Sequence, residues 1–482
     1  MFFMNETRKK IVGAVAGVVL GAGFILLCPD VGLEPQGVRC LGILLGAVVW
    51  WVMGVLPEYA TGFVMVVLLS VVGGVSTTVS LSGFVTETWW LLVAAFGLGA
   101  GMKLSGLMKR MAYAIVRAFP NTFAAQAAGL IAASSVIGPL VPSLAAKAAM
   151  LEPVALNIGQ VLGYERYGKP MQGLFLAVFT GIRNIGLAAI SASILGYAFL
   201  ATFPADVQAQ FDMVHWFISA LPWFLLVTIA NYIAIVVLYQ PRDSKKKAIQ
   251  NGSGQQDEPE NTTAANNARP APSPMSRHEK QMCVIILTTV ALWALQPLHG
   301  IAPHIVGLAA FACTVACGIM GKRGLREAVG WESLIFIGTA FGLASVFAEA
   351  GIQEWVVNLA GPAFEALAGN PYLFVLGIGL ITVALRFLIV SEVACLNIVM
   401  AFLVPLAMHL GINPWVVGFS MYACLSPWFV IYQNSVYLAA LYSVDGEMVH
   451  HTDIAKYCFL YTAICLAALA ASVPYWQWMG LM

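Results

Sequence analysis

The sequence predicts an all-α polytopic membrane protein, and three observations carry that expectation. Of the 482 residues, 60% are apolar and only 10% are charged, a balance foreign to soluble globular domains. Apolar runs of the roughly 20 residues that a bilayer-crossing helix needs recur along most of the chain, and the weak alternation of a membrane β-barrel is absent. Two more apolar segments, 138–154 and 390–406, hold polar clusters that a helix facing lipid would not tolerate.

About eleven transmembrane helices follow in order, at 11–28, 38–55, 59–75, 87–107, 172–200, 214–239, 280–297, 303–320, 331–350, 413–442 and 455–477. The first runs directly on from Arg8, Lys9 and Lys10 with no small-residue cleavage site, so no signal peptide is expected. The pairs Trp50-Trp51 and Trp89-Trp90 are expected to sit in the aromatic belts. Between the fourth and fifth spans, 123–162 is interrupted at 139–153 by prolines and polar residues, and 371–409 behaves the same way. Both read as re-entrant hairpins of half-length helices, whose irregular backbone must be buried in protein. The basic residues Arg8 to Lys10, Lys109, Arg110, Arg117, Arg166, Lys169, Lys245 to Lys247, Lys322, Arg323 and Arg326 fall on one side of this map. They place the amino terminus inside and the carboxyl terminus outside the cell's inner (plasma) membrane.

Hydrophobicity collapses at 241–280 into Asn, Gln, Ser, Pro and charge, which reads as a disordered cytoplasmic linker. It separates two halves that echo each other. Ala95-Phe96-Gly97-Leu98 recurs as Ala340-Phe341-Gly342-Leu343 and Gly106 as Gly351, both 245 positions on; Phe179 and Asn184 find Phe429 and Asn434 at 250. Because one unit starts inside and the other outside, these are inverted-topology repeats, which bind substrate near the midplane between broken helices. The domains expected are scaffold helices of repeat one (1–122), the first hairpin with the broken fifth span (123–212), the sixth span (213–240), the linker, scaffold helices of repeat two (281–370), and the second hairpin with the broken tenth span and the last span (371–482).

Ionisable residues inside apolar sequence are costly and usually face a cavity or a partner. Lys147 lies one turn past Ser143 on the same helical face, so the two share a surface. Glu152, five residues on, points about 140° away from Lys147 and is either a proton carrier or half of a structural ion pair. Arg183, in the broken fifth span beside Asn184, and Arg386, on the rising arm of the second hairpin, suit a bidentate grip on an anion or a bridge to Glu152 or Glu392. None of the seven histidines lies where a catalytic base is needed. The nine cysteines read as small core residues, and no cofactor or metal is expected. Net charge near zero argues against nucleic acid as a partner.

Several stretches resemble the divalent anion/sodium symporter family: the run from Ser105 to Tyr113, the run from Gly330 to Ala344, and the two hairpins. That family carries a Ser-Asn-Thr triplet at each hairpin tip. Counting back from Pro153 and Pro405, the triplets here are Ser143-Leu144-Ala145 and Cys395-Leu396-Asn397, with Ser391-Glu392-Val393 in place of Thr-Glu-Phe. The resemblance implies an elevator-type transporter, a homodimer in the bilayer, and a small anionic substrate of the di- or tricarboxylate, sulfonate or sulfate class. Substrate contacts are expected from Ser143, Lys147, Arg183, Asn184, Ser191, Ser193, Cys395, Asn397 and Asn434, and coupling through Lys147, Glu152 and Glu392, although Glu392, which falls on the family's own hairpin Glu, equally reads as a brace of the second hairpin. In the family the triplets and the unwound loops of spans five and ten hold sodium. Both Asn positions of the triplets are Leu here, and sodium needs about five or six oxygen ligands. The expectation is therefore that Lys147 replaces a sodium ion in a carrier that is proton-coupled, an exchanger or a uniporter. The alternatives are a sodium symporter with backbone-built sites, a membrane-embedded enzyme, or a channel.

Overall fold

Small residues let several helices of this chain approach closely. The computed structural model describes residues 6–27, 32–241, 274–387, 389 and 391–482. Helices α1 (Glu6–Leu27) and α2 (Pro35–Met53) pack so closely that a methyl group added at Gly21 would lie 2.7 Å from the Gly42 carbonyl. Close backbone approach over small residues is how helices associate in lipid, where burying apolar surface gains little. Next come α3 (Glu58–Val71), the short α4 (Thr77–Ser80), α5 (Glu87–Ser105) and α6 (Leu107–Arg117). The last two meet at a 71° bend on Gly106, whose φ of 83° suits glycine far better than any other residue.

The first hairpin follows. Its rising arm α7 (Phe123–Ile137) ends in a 3-10 turn, Gly138–Leu140, and α8 (Leu144–Val161) returns. Next is α9 (Lys169–Ala188), then a break in the chain as a 3-10 turn, Ile190–Ala192, then α10 (Ile194–Leu200), α11 (Ala205–Gln210) and α12 (Met213–Tyr239). Most of the expected linker, 242–273, lies outside the described residues. Its predicted end at 280 is too late, because Ser276 caps α13 (Arg277–Ala294) in a capping box with Glu279. The charged residues there that read as linker are the first turn of a helix. Glu279 takes a bidentate bond from Arg110 of α6, at 2.9 and 3.0 Å.

The second half repeats the order: α14 (Gln296–His299), α15 (Pro303–Ala316), α16 (Lys322–Glu327), α17 (Trp331–Phe341), α18 (Leu343–Glu349) and α19 (Ile352–Ala368). The second hairpin is α20 (Pro371–Leu385) and α21 (Glu392–His409). Then α22 (Pro414–Cys424), a 3-10 break at Ile431–Gln433, α23 (Ser435–Ser443) and α24 (His451–Trp478) close the chain. Gly351, with φ 69°, opens α19 as Gly106 opens α6, so the 245-residue echo marks equivalent corners. Among the described residues, eight helices are long and apolar enough to cross a membrane alone, or nine when α5 and α6 count as one span; those at 58–71, 303–316 and 371–385 are shorter.

The core runs through the broken spans. Every residue of α9 from Met171 to Ala188 is buried, whereas α1 and α12 show apolar side chains such as Val19 and Val237 outward. The repeats interlock: α8 of the first hairpin packs on α23, and α21 of the second on α10. Gly418 of α22 leaves room for the Phe199 ring of α10. One of the four expected belt tryptophans is inside instead. Trp51 is buried, and the half-buried Trp89 donates its indole N–H to the Leu334 carbonyl across the repeats at 2.9 Å.

Candidate functional site: two hairpin turns against two broken helices

Each half-helix of the site begins on a polar cap. Ser143 Oγ accepts from the Ala146 amide at 3.2 Å, opening α8; Ser193 Oγ accepts from Leu195, opening α10; Ser391 Oγ accepts from Ala394, opening α21; and Asn434 Oδ1 accepts from Tyr437 at 2.9 Å, opening α23. Ser143, Ser193 and Asn434 thus serve the backbone, each satisfying one of a helix's unpaired first amides. Asn434 also donates to the Ser426 carbonyl at 3.0 Å.

These caps set a register the sequence reading missed. Helices α8 and α21 are each 18 residues long and start on their serines, so Ser143 corresponds to Ser391, 248 positions on. Counting back from the prolines had matched Ser143 with Cys395 instead; Pro153 and Pro405 lie at different depths inside their helices. The breaks correspond at 241 positions, so Ser193, not Asn184, is the counterpart of Asn434.

Lys147 is fully buried. Its ammonium donates to the Ala192 carbonyl at 2.6 Å and the Gly138 carbonyl at 3.2 Å, joining the break of the fifth span to the turn of the first hairpin. The Ile194 amide, donating to the Pro142 carbonyl at 2.9 Å, seals the same seam. No carboxylate pairs with Lys147 among the described residues. In the second repeat the Arg386 guanidinium, also fully buried, donates to the carbonyls of Ile389 in the hairpin turn and Gln433 in the break. Glu392, on the first turn of α21, stands 4.0 Å from it.

The remaining expected residues are scattered. The Arg183 guanidinium lies about 6 Å from the ring centres of Phe179, Trp428 and Tyr461, and Asn184 bonds Tyr461 at 2.6 Å and Thr228 at 3.3 Å. Their side chains face α12, α24 and the broken tenth span. Cys395 is fully buried close to Arg386. Glu152 is also fully buried, on the side of α8 near Tyr437, and neither carboxyl oxygen has a hydrogen-bond partner.

Two residues with unpartnered polar groups line small cavities. The amide of Asn397, 4% exposed, meets a small cavity with Thr202, Phe341, Ala344, Gln353 and Met400. Tyr197, whose hydroxyl has no hydrogen-bond partner and which nothing in the sequence singles out, lines another with Ser191, Pro139, Pro142, Thr289 and Trp293. Both cavities lie where hairpins and broken spans face other helices, α5 and α13 in one case and α17 to α19 in the other. Among the described residues no cluster of three His, Cys, Asp or Glu side chains has metal-binding geometry.

Comparison with known proteins agrees with this architecture. A family model described as the sodium:sulfate symporter transmembrane region matches residues 8–482. The putative malate transporter YflS of Bacillus subtilis is 22% identical over 73% of this chain and 73% of its own length. The citrate/succinate antiporter of Escherichia coli is 21% identical over 74% of this chain and 76% of its own. Across such relatives the chain spans about two thirds to three quarters of their length. The YdaH transporter of Alcanivorax borkumensis has the same fold, with a TM-score of 0.57 and 19% identity over 90% of this chain and 98% of that one.

Proposed function

The chain belongs to the sodium:sulfate symporter family, a family of multi-pass membrane transporters, and on that premise we propose that it is a secondary transporter of small organic anions that works without sodium at its first hairpin. The carrying observation is the Lys147 clasp. Unwound carbonyls at helix breaks are where transporters of this construction hold a coupling cation, and here an ammonium bonds to two of them. Ser-Leu-Ala at the tip offers few side-chain oxygens for sodium, and a covalently held charge needs none.

The substrate class we infer is di- and tricarboxylate, in keeping with the names of the relatives above. The carboxylates would meet the amino-terminal ends of α8 and α21, which favour negative charge, and the unpartnered Asn397 amide and Tyr197 hydroxyl. The hairpins, the broken spans and α12 and α24 would move as one body across the remaining helices, in a homodimer lying in the inner membrane with its amino terminus inside. Glu152 would carry the coupling proton. Uptake of labelled dicarboxylates into proteoliposomes tests this: saturable uptake and counter-exchange are expected in sodium-free buffer, and uptake that depends steeply on a sodium gradient refutes it.

A further inference from the structure

The second repeat answers the Lys147 clasp with one of its own. In the first, the acceptors are Ala192, the last residue of its break, and Gly138 in the hairpin turn; in the second they are Gln433, the last residue of its break, and Ile389 in the hairpin turn. The break acceptors correspond, while the hairpin-turn acceptors lie at different points of their turns, Gly138 five residues before its cap and Ile389 two; the donors do not correspond at all. At the 248-residue separation of the caps, the position of Lys147 is held by Cys395. The charge comes instead from Arg386, on the other arm of the hairpin, and Cys395 packs beside it.

Two side chains from unrelated positions thus deliver a cation to the equivalent carbonyl of each break and to a carbonyl of the adjoining hairpin turn. A relic of duplication would keep the position and lose the contact; here the bond to the last carbonyl of the break is kept and the donor's position is not. An ordinary ion pair with Glu392 does not account for it either. The nearer Glu392 oxygen stands 4.0 Å off and accepts no hydrogen bond, while the guanidinium bonds to backbone. What the arrangement preserves is positive charge at the meeting of hairpin turn and helix break, where otherwise a soluble cation would be needed to satisfy those carbonyls.

We propose that Arg386 is the resident cation of the second repeat, occupying the place of a soluble alkali ion, so that both breaks are closed to sodium. The proposal rests on the reading of Lys147 given above and extends it to a position the hairpin motif does not contain. It makes Arg386 a positioning residue that holds the second hairpin to its broken span.

The test is thermal unfolding of the purified full chain in detergent, followed by tryptophan fluorescence, in sodium chloride against choline chloride at equal ionic strength. Wild type should unfold at the same temperature in both salts. Arg386→Gln should unfold lower in choline and recover part of the loss, saturably, in sodium; Arg386→Lys, which keeps the charge, should stay indifferent to sodium. Lys147→Gln, measured in parallel, separates the two readings. A sodium response in Lys147→Gln alone keeps the first-repeat reading and overturns this one, whereas a response in Arg386→Gln alone does the reverse. Equal losses in both salts for Arg386→Gln, or a wild type that sodium stabilises, also overturn it. If Arg386→Gln does not fold, Arg386→Lys decides: folding with sodium-indifferent unfolding supports the proposal, and a sodium-stabilised or unfolded Lys variant overturns it.

Discussion

Replacing Lys147 by Met separates its two possible duties, holding the fold and holding the charge. A hydrogen bond from a charged donor contributes about 1.5–3 kcal/mol, so losing both forfeits roughly 3–6 kcal/mol. Burying the ammonium costs several kcal/mol even after the surroundings relax, and methionine, of similar length, removes that cost without leaving a large void. The opposed contributions leave a net stability change of about 2 kcal/mol or less. The site itself is not compensated. Gly138 keeps the Val141 amide as a donor at 3.2 Å, but Ala192 loses the 2.6 Å bond that ties it to the hairpin. Lys147→Met should therefore purify folded, with a small change in Tm, while sodium-free uptake of labelled dicarboxylate into proteoliposomes falls at least about tenfold, equivalent to ~1.4 kcal/mol. Uptake at the wild-type rate without sodium would refute the assigned role. A collapse of stability with transport intact in the surviving fraction would make Lys147 a structural residue only.

Glu152→Gln should leave folding and counter-exchange of preloaded substrate intact but abolish net uptake driven by a pH gradient, read as accumulation of label; accumulation that survives removes Glu152 from the coupling path. Arg183→Met gives up contacts with three aromatic faces, each about 0.5–2 kcal/mol, so Tm should fall while the substrate Kd holds; a Kd loss with unchanged Tm would return Arg183 to the binding site. The Arg110 guanidinium holds the Glu279 carboxyl below its ordinary range. That contribution is complete above the unfolded-chain value of about 4.3 and is lost as pH falls through the lower folded value. The Tm gap between wild type and Glu279→Gln should thus be steady near neutrality and close in acid, and a gap that persists at low pH contradicts the pairing.

The parts of the architecture legible in the sequence were those governed by hydropathy and by glycine. Spans, hairpins and the 245-residue echo ending on Gly106 and Gly351 follow from run length and from a corner that needs positive φ. Register inside the hairpins was not legible that way, because prolines looked like its natural markers. Pro153 and Pro405 are both tolerated within buried helices, so they date from no common corner. The serines do, because an unpaired first turn demands a cap wherever the helix starts. Ser143 and Ser391 were visible in the sequence, but each was read as a ligand or a motif fragment rather than as a boundary.

The same shift explains why Lys147 was singled out from sequence as a fixed cation while Arg386 remained one of two possibilities. A lysine one turn past a cap announces itself by local periodicity. An arginine on the opposite arm is bound to its site only through the turn, and that path is long-range. Its acceptors are main-chain carbonyls, which have no sequence signature, and the corresponding position in α21 is a cysteine that suggests nothing electrostatic. Backbone acceptors at helix breaks thus set the requirement, and the chain meets it from whichever arm can reach. On that logic, conservation of charge at the break, rather than of any hairpin triplet, is the property that should track loss of sodium dependence when Lys147 and Arg386 are varied separately.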